Sequence, residues 1–122
     1  MTTKRTIKLP TYNCDVVFIL TDNVKNEALK LYKVNRSLDF LFEDDDAEGV
    51  VFSFDLDKYY FIVNLNYLTH NTIAHELHHV VMRLTKDRGV FEEEAQCWVS
   101  GHLAQEIYKF LHKKNFKIKH GR

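Results

Sequence analysis

Apolar positions along this chain follow two different periods. Residues 14–20 are β-branched and apolar almost without interruption, as in a strand. Thr21-Asp22-Asn23 then offers capping side chains, and Val24, Ala28, Leu31 and Tyr32 recur at helical spacing to about Lys33. Strand-like runs return at residues 50–54 and 59–66, joined by Asp55-Leu56-Asp57-Lys58, which is hairpin-length and turn-like in composition. Two helices are expected after them, over about residues 70–85 and 91–112. Lys86-Asp87-Arg88-Gly89 is the break between these helices, with Gly89 suited to a positive φ. The order strand, helix, strands, helix, helix predicts an α+β domain with a small antiparallel or mixed sheet.

Composition sharpens this picture in a few places. A chain of 122 residues with 45% hydrophobic content, one Pro, four Gly and no repeat reads as a single domain over residues 1–122 that can bury a real core. Seventeen basic residues balance seventeen acidic ones, so no global field draws the chain to nucleic acid or membrane. The charge is unevenly spread, however. Glu43-Asp44-Asp45-Asp46-Ala47-Glu48, with Gly49, reads as a solvated loop, and residues 113–122 form a basic tail. Cys14 and Cys97 lie in no CxxC pair and read as two reduced core thiols. No apolar run approaches a membrane span, and the N-terminus has charges without an apolar stretch behind them; a cytoplasmic protein is expected.

The chemistry concentrates in His75-Glu76-Leu77-His78-His79. Two histidines four apart on a helix stand one turn above each other on one face, where both imidazoles reach the same ion. Glu76, one residue beyond the first histidine, falls beside such an ion rather than on it, placed to accept a proton from water. Ile73, Leu77, Val80, Val81 and Leu84 make an apolar stripe on the other side, so His75 and His79 face away from the surface that packs on the sheet.

A hydrolytic zinc site wants three protein ligands and an open position. The metzincin extension is excluded, because Met82 and Thr85 stand where it has Gly and His. Asp87 falls in the turn and reads as a terminator of the helix. The remaining source is the next helix, which opens Phe91-Glu92-Glu93-Glu94-Ala95; its glutamates also suit the helix macrodipole. Helical geometry alone leaves Glu93 and Glu94 as alternatives.

His75-Glu76-Leu77-His78-His79 followed by Glu93-Glu94-Ala95 resembles the gluzincin type of zincin-like metallopeptidases, particularly small bacterial and phage-encoded members, over residues 59–111. The resemblance implies a minimal zincin-like domain with one Zn²⁺ held by His75, His79 and the Glu before Ala95, Glu94. It further implies that Glu76 is the general base that activates zinc-bound water against the bonds of a peptide or protein substrate. Many zincins add an oxyanion-stabilising side chain, for which His102, His78, Tyr67 and Arg83 are candidates. In that fold an edge strand lies along the cleft, here residues 50–54 or 59–66.

Two other readings compete. The domain could be a non-catalytic interaction module that keeps zinc as a staple, although a structural site needs no base such as Glu76. The basic tail, most simply a solvated helix end, could instead tether a protease to nucleic acid.

Overall fold

The strand expected at residues 14–20 pairs with one that the apolar pattern does not announce. In the computed structural model, which describes residues 1–31 and 48–120, β1 (Thr2–Leu9) runs antiparallel to β2 (Cys14–Thr21), with Thr2 opposite Thr21 and Leu9 opposite Cys14. β1 is a sheet edge that buries Ile7 and Leu9 and leaves Lys4, Arg5, Thr6 and Lys8 exposed. A strand wetted over most of its length needs few apolar residues, so its period is faint. Asn13, at φ 53°, closes the turn between the two strands.

Helix α1 (Val24–Leu31) begins where the cap residues predict, with Asn23 Oδ1 accepting from the Asn26 amide at 3.0 Å. Tyr32, Lys33 and residues 43–47 of the acidic run lie outside the described residues. Gly49, expected in the loop, instead opens β3 (Gly49–Phe52), which pairs antiparallel with β4 (Lys58–Asn64). Asp55 supports the connecting turn by accepting from the amides of Asp57 (2.8 Å) and Lys58 (3.3 Å). The strand order is β1-β2-β4-β3, with β2 and β4 parallel and both outer pairs antiparallel, so the four-stranded sheet is mixed.

Alternation along β2 sends its apolar residues to both faces. Val17 and Ile19 meet Val24 and Ala28 of α1 on one side. Val16, Phe18 and Leu20 join Phe61, Val63 and the apolar stripes of two helices on the other. These helices are α2 (His70–Asp87) and α3 (Glu93–Lys113), each close to its expected span. Gly89, at φ 66°, makes the break between them. The result is a small α+β domain of one mixed sheet and three helices among the described residues. None of the described helices is long and apolar enough to cross a membrane.

Two expectations need correction. Cys14 is buried, but Cys97 is exposed and so is no core thiol; it lies two residues before buried Val99, which turns it to the outer face of α3. The basic tail is not simply a solvated helix end either. Asn115 takes a left-handed conformation (φ 61°), with its amide on His112 O (3.0 Å) and that of Phe116 on Leu111 O (3.0 Å), the pairing of a Schellman cap. The chain then turns back, packs Phe116 and Ile118 against the core, and pairs Lys119 with the residues leading into α2.

Arg88 ties the far end of α2 to both strand turns. Its guanidinium donates to Tyr12 O (2.7 Å), to Leu56 O and to the Tyr59 hydroxyl (3.0 Å), while that hydroxyl donates to Asp87 (2.6 Å). Burial and the bond to Asp87 push the Tyr59 phenol up to about 12, so it stays protonated and remains a donor. Arg88→Ala strands several acceptors at once and is expected to lower unfolding free energy by about 2–3 kcal/mol. Urea denaturation checks this; a loss below about 0.5 kcal/mol would mean that water replaces the clamp without cost.

Candidate metal centre

Helix α2 starts at a defined point. Buried Thr69 accepts from the Thr72 amide at 3.0 Å, which fixes the first turn and thereby the rotation of every later side chain. Ile73, Leu77, Val80, Val81 and Leu84 are all buried, and His75 and His79 are exposed on the side away from them, as the periodicity predicts. One turn beyond His79, Arg83 donates to Val51 O at 2.7 Å and fastens the helix to β3.

His75, Glu76 and His79 bring their ligand atoms within 4.8 Å of one another, and no other such group of three occurs among the described residues. The two Nε2 atoms are 3.3 Å apart, and the Glu76 carboxylate is 3.9 Å from His75 Nε2. Two nitrogens bound to one tetrahedral zinc, each about 2.0–2.1 Å from it, stand about 3.3 Å apart, so the imidazole pair fits that ion. Neutral imidazole is the form that ligates. Partial burial, with the charges of His75, Arg83 and His78, holds the His79 pKa below its usual value, which favours that form.

Glu76 differs from the histidines in being buried, at 8% exposure. Burial pushes its carboxyl pKa up; His75 and Arg83 pull it down, and Glu48 adds to the rise. Its side chain lies against the first residue of β3. A Cβ on Gly49 would stand 2.9 Å from Glu76 Cγ, 3.1 Å from Cδ and 2.9 Å from Ile62 O. Gly49 therefore gives Glu76 the room it occupies. Sequence reasoning missed this residue because its Cβ-less contact spans two distant segments; the only local trace is a glycine directly before Val50-Val51-Phe52.

The other expected residues are not gathered here. Glu93 and Glu94 both open α3, as expected, but each is exposed and outside the group of three. Asp87 is the last residue of α2, engaged by Tyr59. Among the oxyanion candidates, Arg83 is committed to Val51, and His102 stacks on Trp98 with ring centroids 5.3 Å apart and planes 5° from parallel. His78 is exposed, and Tyr67 lies in a short 3-10 turn before the helix. Of the two strand segments, β4 is interior and β3 is the edge among the described residues, with Val51 O taken by Arg83. Comparison with protein-family models, curated proteins and solved structures finds no match to this chain.

Proposed function

We propose that this chain is a zinc-dependent metallopeptidase of the zincin type. The observation that carries the reading is the exposed imidazole pair at 3.3 Å with a buried carboxylate beside it. His75 and His79 would hold the ion on the outer face of α2, and Glu94, which lies outside their group, would complete its protein ligands on the strength of the Glu94-Ala95 resemblance alone. Bound zinc supplies Lewis acidity and an acidified water. Glu76 takes the proton of the attacking water on its carboxylate and returns it to the leaving amine. Exposure of both histidines leaves their outward side open to a peptide, and edge strand β3 lies beside the base to align an extended one.

The experiment is zinc titration with peptide cleavage measured on the same samples. The wild type should take up one zinc per chain and cleave an unstructured protein; Glu94→Ala should weaken uptake and Glu93→Ala should not. A chain that takes up no zinc after supplementation defeats the reading. Zinc uptake with no cleavage would favour the staple module instead.

A further inference from the structure

The last turns of α3 do not stand alone in their charge. Lys109, Lys113 and Lys114 line a groove of about 600 Å³ together with Lys4 and Arg5 of β1, a strand more than a hundred residues away in sequence. Five cationic side chains thus meet on one concave surface of a chain whose formal net charge is zero. One acidic residue shares the groove: Glu106, already engaged by Arg5 at 3.3 Å and Lys109 at 3.5 Å. Lys4, Lys113 and Lys114 are exposed and have no ion-pair partner among the described residues. Lys117 and Lys119, also exposed, extend the basic stretch along the returning tail.

We propose that this groove binds the phosphodiester backbone of a nucleic acid. Repeated phosphates match a groove in which five cations face one carboxylate, and the counterions of the nucleic acid are released as those cations neutralise its phosphates. The lining disfavours insertion into a bilayer. The groove's one large apolar residue, Phe110, is buried at 8% exposure, so no greasy side chain stands ready to insert. The inference is independent of the metal centre, which uses none of these residues.

The test is fluorescence anisotropy with a labelled oligonucleotide of about 20 nucleotides, as single strand and as duplex. About four neutralised phosphates predict a roughly 50- to 150-fold loss of affinity for a fourfold rise in salt. The triple variant Lys4→Glu/Lys113→Glu/Lys114→Glu should lose at least about 30-fold while keeping its circular dichroism and zinc uptake, since all three side chains are exposed. Salt-independent binding, an unaffected triple variant, or equal competition by polyglutamate would overturn the proposal. So would binding to phosphatidylserine vesicles without binding to either oligonucleotide.

Discussion

Glu76→Gln is expected to keep its zinc and to lose peptide cleavage by a factor of about 10²–10⁴. Gln has the same shape, so it can occupy the space that Gly49 leaves and preserve the packing of α2 against β3. What it lacks is a carboxylate able to accept the proton of the attacking water. The change removes no atom of His75 or His79 and keeps the side-chain volume beside them, so the imidazole pair survives it. Metal content by mass spectrometry and kcat on an unstructured substrate separate the two effects. Cleavage within about threefold of wild type would remove Glu76 from the role of base.

Gly49→Ala should also damage turnover, through position rather than chemistry. The new Cβ meets two atoms at 2.9 Å: Glu76 Cγ, which a side-chain rotation can move, and Ile62 O, which belongs to the backbone of β4. Relief requires Glu76 to swing away or the start of β3 to lift from the sheet. A displacement of about 1 Å at a reacting group can cost on the order of 10²-fold in rate. The loss should fall on kcat, with zinc affinity within about threefold of wild type and stability lower by about 1–3 kcal/mol. Unchanged kcat in a folded Gly49→Ala protein would show that the contact does not set the position of Glu76. A matching fall in zinc affinity would place the damage at the histidines instead.

Much of the site was legible before any coordinates. Helical spacing puts His75 and His79 on one face, and the stripe Ile73, Leu77, Val80, Val81 and Leu84 shows which side of α2 turns inward. These are short-range consequences of one helix, and a helix has one geometry. The strands at 14–20, 50–54 and 59–66 were visible for a similar reason, since their buried positions are rich in β-branched and aromatic residues. β1 was not, because Thr, Lys and Arg on an exposed edge leave too few apolar positions to mark a period. The docked tail was also hidden: Phe116 and Ile118 find their partners only after α3 has brought the chain back across the domain.

The sequence by itself thus determined the helices, most of the strands, and a histidine pair presented on one face with a glutamate beside it. Each follows from spacing within a few residues. Tertiary structure alone decided that β3, not β4, is the edge among the described strands, that Gly49 makes room for Glu76, and that Lys4 and Arg5 join the lysines of α3 in one groove. Those relations join segments far apart along the chain, and packing of the sheet against its helices sets them. Spacing along one strand or helix carries no record of what lies across from it.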